Sequence, residues 1–241
     1  MAPAAGGILQ SIMFSGIWYD ACSTLAALAL LLSPAMARAA GGAHVVDDAG
    51  VETPGICHVE SFVAWSKPGT GFASLAPGCT PGFAPWLEIG GTINYAWTDG
   101  ARSTLGAINL KAATDTGFWG LSAGFNATLG YDFTGKQIET TAATALVSKA
   151  IGDDVALHFN LGWQQFRSER SNDAFAGVQI EAAMSPDWTV MAEIFGRKSV
   201  RTGVQAGVRR TGRRVDVDLL YGRYVDGFSA DALTLGLTVR M

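Results

Sequence analysis

Toward the C-terminal end, four charged residues stand on strand-like stretches: Glu193, Arg209, Asp216 and Arg240. Aligning successive hairpins by their turns sets Arg209 opposite Asp216 across T-G-R-R, Glu193 opposite Arg209 across the preceding loop, and Asp216 near Arg240. Side chains of alternating sign on one face of neighbouring strands form a cross-strand ladder. In an enclosed passage such a ladder sorts solutes by charge. Equally, a narrow interior must neutralise any charge it encloses, and both readings stay open.

Other chemistry is sparse. His158 shares the polar parity with Asn160, whereas a lipid-acting nucleophile would need Ser or Thr beside His on the apolar side. It reads as a hydrogen-bonded interior histidine, and His44 and His58 receive no role. No catalytic, cofactor-binding or metal-ligating residue is expected, since only His58 lies near the cysteines and no four-ligand set forms. Cys57 and Cys79 flank K-P-G-T-G and A-P-G-C-T-P-G and read as one disulfide closing a loop in an oxidising compartment. Lys198 and Arg201 belong to a basic stretch from Arg197 to Arg214 and either meet lipopolysaccharide phosphates or stay solvated. A formal net charge of -4, without zinc-finger spacing, phosphate loop or basic helix, points to no nucleic-acid partner.

These residues need strands to hold them. Leu87, Ile89, Ile93, Tyr95 and Trp97 alternate with Glu88, Thr92 and Asn94, and the run ends at T-D-G-A. The same period of two recurs at 119–131, 155–163, 174–184, 188–196, 204–210, 214–224 and 233–241. Segments 103–113 and 138–151 alternate less cleanly, because Ala and Thr occupy both faces. About ten strands result. Ile56–Trp65 could supply an extra strand, but an odd count would put the N-terminus on the wrong side, so it reads as an element ahead of the barrel, with a twelve-stranded barrel containing one further strand as the alternative. In the strongest segments the apolar parity carries no Asp, Glu, Lys or Arg.

A soluble sandwich also alternates, so the direction of the apolar face needs further signals. Tyr95, Trp97, Trp119, Tyr131, Trp163, Trp188 and Tyr221 fall at segment ends on the apolar parity, where two interfacial girdles would lie. Glycine collects on the opposite parity, which suits a small closed barrel. The expected class is an all-β, closed antiparallel transmembrane barrel with up-and-down order. Residues 24–32, T-L-A-A-L-A-L-L-L, followed by Pro34 and A-M-A, read as a signal peptide over 1–39, although no Lys or Arg precedes Leu32. Residues 40–85 then form an N-terminal segment, flexible over 40–55 and tied by the disulfide, and 86–241 form the barrel.

The last stretch, L-T-L-G-L-T-V-R-M, resembles the C-terminal signal of Gram-negative outer-membrane barrels, with Met241 where that family usually has an aromatic. From about Trp188 onward, L-L-Y-G-R and this terminal strand are similar to porin-like proteins related to phenol meta-pathway outer-membrane transporters. The resemblance implies a bacterial outer-membrane location and a channel or transporter for small solutes, without enzyme activity or cofactor. It also implies outer-membrane lipid, lipopolysaccharide and the barrel-assembly machinery as partners. A closed structural or lipid-interacting barrel, and a lipid-modifying enzyme, are the alternatives.

Overall fold

In the computed structural model, which describes residues 43–67, 69–168, 170–198, 202–225 and 231–241, the alternating segments become the strands of one closed sheet. They are β1 (Cys57–Lys67), β2 (Thr70–Cys79), β3 (Leu87–Thr98), β4 (Ala101–Asp115), β5 (Leu121–Asp132), β6 (Gln137–Ile151), β7 (Val155–Phe166), β8 (Ser171–Ser185), β9 (Trp188–Arg197), β10 (Gly203–Thr211), β11 (Val215–Arg223) and β12 (Asp231–Arg240). Each strand pairs antiparallel with the next, and β12 closes on β1 from His58↔Arg240 to Trp65↔Leu233. The expected signal peptide and Arg201 lie outside the described residues.

The strand count is twelve. Residues 57–79, expected as an element ahead of the barrel, are its first hairpin and one side of its closure. The first alternating run is short and its apolar parity is interrupted by Cys57, Ser61 and Lys67, which hides it from a periodicity count. Cys57 faces Cys79 in this register, and the two form a disulfide. Trp119, expected to begin a strand, instead sits in the β4–β5 turn at φ 55°, and β5 starts at Leu121.

Which way the apolar parity points is decided by exposure. Leu161, Ile108 and Ile93 are 67%, 62% and 54% exposed, whereas Asp218, Gln179 and His158 are 0%, 1% and 1%. The barrel is therefore apolar outside and polar inside, the inverse of a soluble sandwich and the arrangement that hydrocarbon requires. Trp119 and Trp188 lie near the rim where the chain reaches Met241, here the terminal rim. Tyr95, Trp97, Tyr131, Trp163 and Tyr221 lie toward the opposite, far rim. The Trp97 ring covers Gly71 on the neighbouring strand so closely that a Cβ there would collide with it.

Connections are tight. Asp99 and Gly100, both at positive φ, turn β3 into β4 as Asp-Gly does in a primed hairpin turn. At the terminal rim, the Gly212 N–H donates to Val215 O and closes the β10–β11 turn. That closure sets Arg209 opposite Asp218 and Thr211 opposite Asp216, two residues away from the register expected from T-G-R-R. Glu193 likewise faces Gln205, and Arg209 faces Thr189.

Candidate functional site: the lumen and the segment inside it

The lumen is not empty. Residues 43–56, which overlap the stretch 40–55 expected to be flexible, enter at the terminal rim and run up inside the barrel. Beside the disulfide the Gly55 N–H donates to Thr80 O at 2.8 Å, and Thr80 returns a bond to Ile56 O. Further in, Ala43, Val46, Asp48 and Ala49 are all at least 96% buried. Val46 packs with Phe195, Val225 and Ala232 toward the far rim, while Ala43 packs with Met191 and Leu220.

The segment has no regular secondary structure, so its backbone groups need partners from elsewhere. The wall supplies them from side chains. Glu193 accepts the N–H groups of Val45 and Val46 at 3.1 and 2.8 Å. Asn160 accepts from the Asp47 N–H at 2.8 Å and donates to the Asp47 carbonyl at 2.7 Å, so one amide side chain stands in for a strand neighbour. Ser148 Oγ accepts from the Ala49 N–H at 2.7 Å and lies 2.7 Å from His158 Nδ1. Gln205 donates to Ala43 O, and Gln179 meets His44 at 2.9 Å.

Charge complements these bonds. Lys111 Nζ reaches Asp47 at 2.8 Å and Asp48 at 3.1 Å. Arg240 bridges Asp216 of β11 at 2.8 Å and Glu52 of the segment at 2.9 Å. The Glu52 N–H in turn donates to Glu88 at 3.0 Å. Of the four residues singled out as a ladder, Glu193, Arg209 and Asp216 are buried and Arg240 is half-buried. The expected Asp216–Arg240 pair forms, at 2.8 Å, but the other two pairings differ: Arg209 Nε lies 2.6 Å from Asp218, and Glu193 serves the segment's backbone. The turn register is the reason, because a shift of two residues keeps every side chain on its face but changes its partner.

Burial also changes the protonation of the segment. The His44 imidazole is held well below 6.5, first by burial and then by Arg209 and His158. Asp47 is raised from 3.8 to about 7, chiefly by burial, against the opposing pull of Lys111. Glu52 ends below its ordinary value. Burial pushes it up, but hydrogen bonds from the Thr53 N–H and Arg240 outweigh that push.

The segment fills the lumen unevenly. On the side of β1 to β5 a cavity of 330 Å³ remains, and a second of 420 Å³ opens between Glu52, Pro85, Glu181 and Arg209. Sequence reasoning missed both the segment and the residues that hold it, Lys111, Ser148, Gln179 and Gln205. A signal existed in the inward positions: Gln, Asn and Ser recurring there need partners that a barrel wall alone does not offer.

A family described as "Uncharacterised conserved protein UCP029691" matches residues 27–241. Among curated proteins no relative matches. Solved structures share the fold. The KdgM porin in complex with disordered oligogalacturonate superposes with a TM-score of 0.61 at 10% identity, covering 76% of this chain and 98% of that one. The NanC porin gives 0.57 at 9% identity, covering 77% and 100%. The COG4313 outer-membrane channel from Pseudomonas putida F1 gives 0.55 at 10% identity, covering 80% and 97%.

Proposed function

We propose that this chain, which belongs to the UCP029691 family, is a channel for small solutes in the bacterial outer membrane, held closed by its own residues 43–56. The observation that carries the reading is a barrel with an apolar exterior and a hydrophilic lumen occupied by a segment bound through side chains. Likeness in fold to three small outer-membrane porins and channels supports the passage reading. In this reading the terminal rim faces the periplasm, residues 1–39 are removed on export, and assembly uses the barrel-assembly machinery. The exterior meets outer-membrane lipid, and the far-rim basic residues meet lipopolysaccharide. No chemical step is assigned to the protein.

Closure of a barrel does not by itself imply conductance, because its own side chains can fill a small lumen. The test is planar-bilayer recording of the full mature chain against a variant lacking 43–54. The full chain is expected to conduct weakly and the shortened one to show clear single-channel steps several-fold larger. Folded but silent barrels in both preparations would replace the channel with a closed scaffold.

A further inference from the structure

The cavity on the β1–β5 side exists because the wall there carries too little side chain to fill it. Ser74, Ala76 and Gly78 on β2 and Gly90 on β3 line it, opposite the bulk of the segment. At 330 Å³ it is the size of a pocket for one small molecule, at the lower end of the roughly 300–1,000 Å³ usual for ligand sites.

Its lining has two characters. Phe62 and Phe72, on adjacent strands, present a pair of rings with centroids 5.5 Å apart and tilted by 45°. Glu60 lies two residues from Phe62 on the same face of β1, and Glu88 lines the same chamber from β3. In all, five carboxylates and three Lys or Arg groups line the wall. His58 is 92% buried, its Nε2 is 3.8 Å from Glu60, and its Nδ1 has no hydrogen-bond partner. A buried polar atom left unsatisfied in a cavity wall marks a place where a polar occupant completes the bonding.

We propose that this chamber binds a small organic cation bearing an apolar group, its charged nitrogen toward Glu60 and its apolar part on the faces of Phe62 and Phe72. Aromatic faces attract a cation through their quadrupole, and a carboxylate beside them fixes its position. The assignment rests on the channel reading and narrows its solute. It also separates this chain from the KdgM porin, whose oligogalacturonate ligand carries carboxylates that the acidic excess here would repel.

The test is calorimetric titration of the full mature chain in non-ionic detergent with three probes of similar shape: benzylammonium, benzyl alcohol and phenylacetate. The cation is expected to bind one saturable site, with phenylacetate at least about tenfold weaker, a difference of about 1.4 kcal/mol. Glu60→Gln should weaken the cation about tenfold, Phe72→Leu several-fold, and Glu60→Asp should recover part of the loss, while Asp153→Asn in an exposed turn changes nothing. Heat-modifiable migration in gels reports whether each variant is folded. Equal binding of phenylacetate and the cation to the unmodified chain overturns the proposal, whatever the variants do, and so does a folded Glu60→Gln that binds as before. Conductance separates the two readings. A conducting barrel indifferent to probe charge removes the cation site and leaves the channel, and a barrel that binds the cation but never conducts removes the channel and leaves the site.

Discussion

The two halves of the lumen are built on opposite principles. Along β7 to β10 the inward residues include the long polar Asn160, Gln179, Glu193 and Gln205, and each of these four bonds to the segment. Along β2 and β3 Ser74, Ala76, Gly78 and Gly90 are small, and space remains between them and the segment. One wall grips and the other leaves room. A barrel wall has the same backbone everywhere, so the choice of inward side chain alone decides where the interior is solid and where it is hollow.

The gripping half should be the fragile one. Lys111, on the strand between the halves, faces Asp47 and Asp48, and Asp48 is 1% exposed. Replacing it with Met removes the cation shared by the part-exposed Asp47 and the buried Asp48, a change whose cost is bounded by the about 3–5 kcal/mol of a broken buried pair. Maleimide labelling of an Ala49→Cys reporter, slow in the parent, should become orders of magnitude faster in Lys111→Met. Unchanged labelling would remove charge from the forces that seat the segment.

A steric change on the same wall should act next. A Cβ on Gly177 would lie 2.6 Å from Val46 Cγ2 and 3.3 Å from Phe195 Cβ. Gly177→Ala is therefore expected to cost about 1–3 kcal/mol as overpacking, read as faster reporter labelling. Adding Val46→Ala should return the rate toward the parent, and failure of that rescue would mean that the methyl group acts through the wall alone.

Acidity should sharpen the contrast through two groups of opposite sign. His44 is depressed when seated, so the unseated state takes up its proton first and seating weakens as pH falls below 6.5. Asp47 is raised, so the seated state keeps its proton. Seating is then strongest at low pH and weakens as pH rises from 3.8 toward about 7. Taken relative to a free thiol at each pH, because only the thiolate reacts, the labelling rate should climb on acidification in Asp47→Asn and on moving toward neutrality in His44→Gln. The same slope in both variants would refute this division of roles. The smallest effect belongs to the hollow wall, where Ala76→Ser should shift stability by no more than about 0.5 kcal/mol in urea titrations of folded barrel.

Much of the fold was legible because a strand with lipid on one side and polar groups on the other writes its environment into every second residue. The runs Trp188–Gly196 and Val215–Tyr221 show this, and their apolar parity does face outward. Cys57 and Cys79 were readable as a pair because two half-cystines flank a turn-rich stretch. The upstream hairpin was less legible, since Cys57, Ser61 and Lys67 interrupt its apolar face. The ladder's members could be assigned to the inward face, and Asp216 does meet Arg240, but the partners of Arg209 and Glu193 were not legible.

By itself, then, the sequence determined the two-faced strands and the side of the wall each residue occupies, which depend on neighbours within a few residues, and marked Cys57 and Cys79 as a pair across the turn-rich stretch between them. Tertiary structure alone decided the pairing across the barrel and the place of residues 43–56. The wall side chains that hold them lie 36 to 188 residues away, and a stretch without periodicity carries no mark of the surface that will satisfy its backbone.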